Sequence, residues 1–185
     1  MGKSAAATLL RERNIPVIDT DDLARDVVRK GQPALEEIKK RFGPTVIDET
    51  GELRRDELAR IVFSAPECRA DLEKITHPRI REAWRQQIEQ WRKKGRPLAV
   101  VVIPLLYETG AQREVDKVIC VACSERTQQQ RLRARNWTDE EINKRNAAQW
   151  PVAKKLEAAD YVIWSEGGLE IHAEQLDRIL KQMVL

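Results

Sequence analysis

Gly2-Lys3-Ser4, followed by the helix-forming run AAATLLRER (5–13), carries residue types that hold phosphate. A phosphate-binding loop reads G-x-x-x-x-G-K-[ST], between a strand and a helix. Its glycines let successive backbone N–H groups turn inward on anionic oxygens. Its Lys reaches the β- and γ-phosphates, and its Ser or Thr hydroxyl holds Mg²⁺. The helix after the loop adds its positive end. Gly2, Lys3 and Ser4 stand in the order of the second half of that pattern, with only Met1 ahead of them. Three residues alone also fit a chance tripeptide.

Further groups could complete a phosphoryl-transfer site. Asp19 closes the apolar run IPVID, and Thr20 and Asp21 come directly after it. A carboxylate at a strand end can take the proton of an attacking hydroxyl. It can equally cap the next helix, DLARDVVRK. Both roles can hold in one pair, and Asp21 is the favoured base. Glu108 ends IPLLYE, just past the apolar run LAVVVI (98–103), so it too sits at a strand end. Arg131 and Arg135 are four apart in SERTQQQRLRAR, a spacing that puts them on one helix face. Two guanidiniums there would neutralise charge on a transferring phosphoryl group. A solvated helix face is the plainer reading of that run. His77 precedes Pro78, and an N-cap with its first helical residue is the simpler account of that pair.

These groups need a scaffold, and the hydrophobic pattern supplies one. Four short apolar runs read as strands: Ile15–Asp19, Leu98–Ile103, Val115–Ala122 and Tyr161–Trp164. The second is β-branched and alternation-free, as in a strand buried on both faces. Helical patterns fill the gaps. Pro78 opens a helix with Ile80, Trp84, Ile88 and Trp91 on one side. TDEE (138–141) is a capping box. Leu169, Ala173, Leu176, Leu180 and Met183 line the last helix. Strands separated by helices predict an α/β fold, a parallel sheet with helices on its faces. Residues 23–94 are too long for one crossover. They read as a helical insertion capping the ligand edge of the sheet.

Composition bounds the class. The chain has 185 residues, 42% apolar and 34% charged, with a net charge of +3. That length suits one domain with a real core. No apolar run approaches the ~20 residues of a membrane span, and no secretory leader is visible. A cytoplasmic protein is expected, with no membrane and no nucleic-acid partner. The mild positive charge suits anionic small molecules. Cys68, Cys120 and Cys123 are odd in number, which argues against a disulfide framework. Cys120 and Cys123 form a lone C-x-x-C in an apolar run and read as small buried hydrophobes.

Taken together, the segments resemble the dephospho-CoA kinase family of P-loop kinases. In order they are GKS, VIDTDDLAR, KGQPAL, FGPTVIDETGELRRDELARIVF, the HP dipeptide, VVIPLLYE, TQQQRLRARN, AAQW and ADYVIW. The likeness runs over essentially the whole chain. It implies one P-loop kinase domain over 1–185, with a helical substrate-binding insertion at about 23–94 and a helical lid at about 124–150. It implies ATP-dependent phosphorylation of the ribose 3′-hydroxyl of dephospho-CoA, the last step of coenzyme A synthesis. ATP and dephospho-CoA would be the partners and Mg²⁺ the cofactor. Oligomeric state is not legible.

The resemblance also implies roles. Asp21 would be the general base, with Lys3 and Arg131 acting on the transferring group. Gly2, Lys3, Ser4, Ala5 and Arg135 would contact ATP, with Ser4 on Mg²⁺. Asp19, His77 and Glu108 would bind dephospho-CoA. Gln149 belongs to the AAQ segment, and the Ser165–Gly168 loop would lie near adenine. The chain also departs from the family. Arg-Asp in the lid becomes Arg135-Asn136, and Asp-Asn-x-G becomes Trp164-Ser165-Glu166-Gly167. The family places a strand and T-G-G-I-G-S ahead of G-K-S. By analogy that strand would be central, between those at Leu98 and Val115. A start placed downstream of the true one, or a shortened chain that is unstable or inactive, would each explain the difference. The retained family residues favour the first. Rival expectations are a non-catalytic remnant binding a CoA-like ligand or a partner, and a different small-molecule P-loop kinase.

Overall fold

The computed structural model of the chain describes residues 2–183. In chain order it begins α1 (Lys3–Glu12), β1 (Val17–Asp19), α2 (Thr20–Asp26), α3 (Pro33–Phe42) and α4 (Arg55–Ser64). Next come α5 (Pro66–Lys93), β2 (Val100–Val102), β3 (Ile119–Ala122), α6 (Glu125–Arg133) and α7 (Asp139–Ala147). The last elements are α8 (Val152–Glu157), β4 (Tyr161–Trp164) and α9 (Leu169–Met183). They form two compact units, Met1–Val17 with Ile103–Leu185, and Ile18–Val102.

In the first of these units, β3 and β4 pair in parallel, with Ile119 opposite Tyr161 and Ala122 opposite Trp164. Asp160 sets that register from below. It accepts the Val118 N–H at 2.8 Å and pairs with the Lys117 ammonium at 2.9 Å. Helix α1 packs on α9. Its alanines and leucines make both a good helix and a flat face, and Ala6, Ala7, Leu9 and Leu10 are buried. On α9 the buried stripe is His172, Leu176 and Ile179, spaced as one helix face. The stripe expected from the sequence began at Leu169, which is 57% exposed. His172 and Ile179 are buried where Ala173 and Leu180 were expected, and Leu176 is common to both faces. The Arg13 guanidinium grips both oxygens of Asp177, at 2.6 and 2.9 Å, and ties the end of α1 to α9. The capping box of α7 forms as read. Thr138 Oγ1 accepts the Glu141 N–H, and Glu141 Oε2 accepts the Thr138 N–H at 2.8 Å.

In the second unit β1 pairs with β2. The Thr20 hydroxyl donates to the Val102 carbonyl at 3.1 Å and fixes the start of α2 against β2. Val100, Val101 and Val102 are each half-buried, less than an unbroken valine run predicts. Among the described residues β1 is the one strand paired with β2, so the side chains of β2 are covered from fewer directions than in a wide sheet. Between β1 and β2 the chain is helical, as expected. Val28, Ala34, Ile38, Val46 and Leu58 form its buried core, with Leu72 and Ile75 packed against them.

One helix boundary is corrected. Pro78 does not open a helix, and His77 is not an N-cap; both lie inside α5, which Pro66 opens. Proline in a helix interior costs about 3 kcal/mol through its missing N–H and the clash it imposes. Packing overrides that cost: α5 runs against α2, α3 and α4 and buries Trp84. The Arg79 side chain folds back to donate to the Ile75 carbonyl at 2.6 Å, beside the disturbed turn. No helix among the described residues is long and apolar enough to cross a membrane.

Candidate active site

Helix α1 presents its first turn with Gly2 as N-cap, Lys3 and Ser4 first inside, and Ala5 behind them. Ala6 N–H closes the first turn on the Gly2 carbonyl at 3.0 Å. Gly2 is in the left-handed region at φ +81°, where glycine is favoured. It is also sterically required. A Cβ there would lie 2.8 Å from Ser165 Cβ and 3.2 Å from His172 Cε1. Lys3 is half-buried and Ser4 is exposed. Burial pushes the Cys120 thiol of β3 up, and the ammonium groups of Lys155 and Lys3 oppose that rise. The Ser4 hydroxyl is a hard, neutral oxygen in an open helix turn. Mg²⁺ takes such an oxygen together with phosphates and waters, so the donor type fits that ion.

Around this turn sits the loop after β4. Ser165 N–H bonds the Ala122 carbonyl at 2.7 Å, extending the β3–β4 ladder by one step. Arg131, on α6, donates through Nη1 to Ser165 Oγ at 3.1 Å and through Nη2 to the Ser165 carbonyl at 2.7 Å. His172 is buried, and its Nε2 has no hydrogen-bond partner among the described residues. Burial, aided by the Arg131 charge, holds its imidazole below the usual range. Arg131 thus stands beside the Lys3–Ser4 turn, linked to it through Ser165 and Gly2.

Arg135 comes just after the helix that carries Arg131. Helix α6 ends at Arg133, and the chain turns through Asn136 at φ 63°. Arg135 lies exposed just beyond the helix, its N–H bonded to the Leu132 carbonyl at 2.9 Å. Substitution of Asn for the family's Asp at 136 suits that turn, since Asn tolerates the left-handed region.

Glu166 holds the other side of α6. Its Oε1 accepts the Ser124 N–H at 2.8 Å and its Oε2 accepts the Trp164 indole N–H at 3.2 Å. The Ser124 hydroxyl, the Ser124 N–H, the Thr127 hydroxyl and the Trp164 indole together pull its carboxyl from 4.5 to about 2. Because the folded value lies below the unfolded one, this anchor stabilises the fold above pH 4.5. The contribution fades as pH falls toward about 2. In melts across that range, wild type should lose thermal stability more steeply than Glu166→Gln, and the two curves should converge near the acid end. Parallel curves would show that Glu166 is not tied to α6.

In the second unit, the Asp19–Asp21 pair divides its labour. Asp19 ends β1 and caps α2, its Oδ1 accepting the Asp21 N–H at 2.9 Å. Asp21 stands exposed in the first turn of α2. His77 lies exposed in the middle of α5.

Glu108 is in the first unit, and its contacts were not legible in sequence. It pairs with Lys155 at 2.9 Å and accepts the Trp150 N–H at 2.7 Å. Gln149 accepts from the same Lys155 ammonium at 2.9 Å. Lys155 and His172 carry no role in the sequence reading, and Glu166 enters it only as part of the Ser165–Gly168 loop. Only His172 gave a signal, its place at i−4 from Leu176 on an apolar helix face.

The class these features define is an α/β protein with parallel strands flanked by helices and a Lys-Ser pair opening a helix. Known proteins share its fold. A crystal structure of a Thermus thermophilus protein superposes with a TM-score of 0.80 at 35% identity, over 98% of this chain and 91% of that one. Dephospho-CoA kinase from Campylobacter jejuni gives a TM-score of 0.75 at 24% identity, a likeness of fold. The family model for dephospho-CoA kinase matches residues 1–170. The dephospho-CoA kinase of Bdellovibrio bacteriovorus is 40% identical over 180 residues, 97% of this chain and 90% of that protein. That of Geobacillus kaustophilus is 42% identical over 182 residues, 98% of this chain and 90% of that one. The chain belongs to the dephospho-CoA kinase family.

Proposed function

We propose that the protein transfers the γ-phosphoryl group of ATP to the ribose 3′-hydroxyl of dephospho-CoA, giving CoA and ADP. Family membership carries the kinase assignment. The observation that carries the residue roles is the division of labour at the end of β1. Asp19 is occupied in capping α2, and Asp21 stands exposed in its first turn. In this reading Asp21 orients the 3′-hydroxyl and takes its proton. The 3′-oxygen forms a bond to the γ-phosphorus as the bond to the β,γ-bridging oxygen breaks. Lys3 and Arg131 stabilise the charge that develops, and the backbone at Gly2 to Ala5 receives the phosphates. Ser4 would hold Mg²⁺, which when bound neutralises charge on the β- and γ-oxygens.

The segment 23–94, with Asp19 and His77, serves dephospho-CoA. Segment 124–150, with Arg135, closes as a lid within one working domain of 1–185. The Ser165–Gly168 loop lies toward the base. Three unpaired cysteines suit a reducing cytoplasm. The test is ADP release from ATP and Mg²⁺ with and without dephospho-CoA. Turnover on the order of 1–100 s⁻¹ that requires dephospho-CoA is expected. ADP release indifferent to dephospho-CoA would overturn the assignment.

A further inference from the structure

Glu108 stands in a tight turn. Thr109 N–H returns to the Leu105 carbonyl at 3.0 Å and Gly110 N–H to the Tyr107 carbonyl at 3.2 Å. Its side chain and that of Lys155 are each only 14% exposed. Oε1 takes both the Lys155 ammonium and the Trp150 N–H. Oε2 is sealed from solvent and has no partner among the described residues. Beside it, the Tyr107 ring stacks on Trp150, centroids 5.0 Å apart and planes 8° from parallel. The Lys154 ammonium lies 3.8 Å from the Trp150 ring centre. Burial pushes the Glu108 carboxyl up. The Lys155 and Trp150 hydrogen bonds outweigh that and leave it below the usual carboxylate range.

As a source of stability such a pair is a poor choice, because desolvating two charges cancels much of their attraction. What it supplies is position. Trp150 lies at the joint between α7 and α8, and Lys155 lies in α8. Helix α8 packs on β3, so the joint is where the α6–α7 arm returns to the body of its unit. The other root of that arm, the start of α6, is held by Glu166 at Ser124. Between the roots Arg131 ties α6 to Ser165, and the arm makes the exposed Arg133–Asp139 pair and its own capping box.

We infer that Glu108 is a positioning residue, which with Lys155, Trp150 and Tyr107 latches the C-terminal root of the α6–α7 arm rather than touching substrate. The role in turnover rests on the kinase reading; the latch itself does not. Glu108→Gln leaves the Lys155 ammonium buried without a counter-charge. Adding Lys155→Met to that variant removes the charge, while the glutamine side chain at position 108 still accepts the Trp150 N–H.

The experiment compares wild type, Glu108→Gln, and Glu108→Gln with Lys155→Met. The readouts are kcat, KM for dephospho-CoA, and amide hydrogen exchange across 139–155. Expected for Glu108→Gln is a fall in kcat of about tenfold or more, KM within about twofold, and faster exchange at 149–155. The double variant should recover most of kcat and the slow exchange. A KM raised tenfold or more in both variants would overturn the inference, because that marks a carboxylate that binds substrate directly. If Glu108→Gln does not fold, the double variant alone decides by the same KM criterion. If wild type shows no turnover with dephospho-CoA, the kinase reading fails separately. Exchange at 149–155 unchanged by Glu108→Gln then overturns the latch.

Discussion

Asp21→Asn is expected to lower kcat by about 10²–10⁴-fold, the usual contribution of a positioned general base, with ATP affinity little changed. The substitution is close to isosteric, so the acceptor hydroxyl can still be oriented. What it removes is the capacity to take the proton when the 3′-oxygen attacks. The cap of α2 should survive, because it comes from Asp19, whose Oδ1 holds the Asp21 backbone N–H and not its side chain. Equal melting temperatures beside a collapsed kcat would isolate chemistry from folding. Near-normal turnover of Asp21→Asn would remove Asp21 from the mechanism.

Arg131→Lys carries the second large effect. It preserves the charge and loses the planar fork. Arg131 makes two bonds to one residue, to Ser165 Oγ and to its carbonyl. An ammonium on a flexible stem cannot reproduce that pair with the same orientation. Ser165 in turn lies against Gly2, close enough that no side chain fits at position 2. The consequence should pass from Ser165 into the first turn of α1, where Lys3 and Ser4 stand. We expect kcat/KM for ATP to fall about 10²–10³-fold, the scale of losing one preorganised donor to a transition state. The imidazole of His172 separates charge from geometry. It lies under the influence of the Arg131 charge, so its titration should shift little in Arg131→Lys while activity falls. A large catalytic loss together with a His172 titration moved toward the ordinary histidine range would mean that the Lys side chain has left the pocket. Full activity in Arg131→Lys would show that charge alone is required.

Much of this protein is decided by neighbours in the chain. The capping box at Thr138–Glu141, the strand Tyr161–Trp164, the helix after Gly2 and the Asp19–Asp21 pair at a strand end all appear where the sequence puts them. Each depends on contacts within about one turn or on a short apolar run, so residue type and spacing suffice. The family, too, is legible, because a kinase of this kind keeps its chemistry in short ordered segments. What the tertiary structure alone decided are the partners separated by long stretches of chain. Glu108 meets Lys155 and Trp150, Arg131 meets Ser165, and Gly2 meets His172. None of these pairs is set by periodicity, since only folding brings such positions within hydrogen-bond or van der Waals reach. Pro78 shows the same limit from the other side. Local chemistry reads it as a helix start, yet the packing of α5 on three other helices outweighs a broken hydrogen bond. Local rules determine where chemical groups stand along the chain; the summed burial of distant apolar surface determines which of them meet.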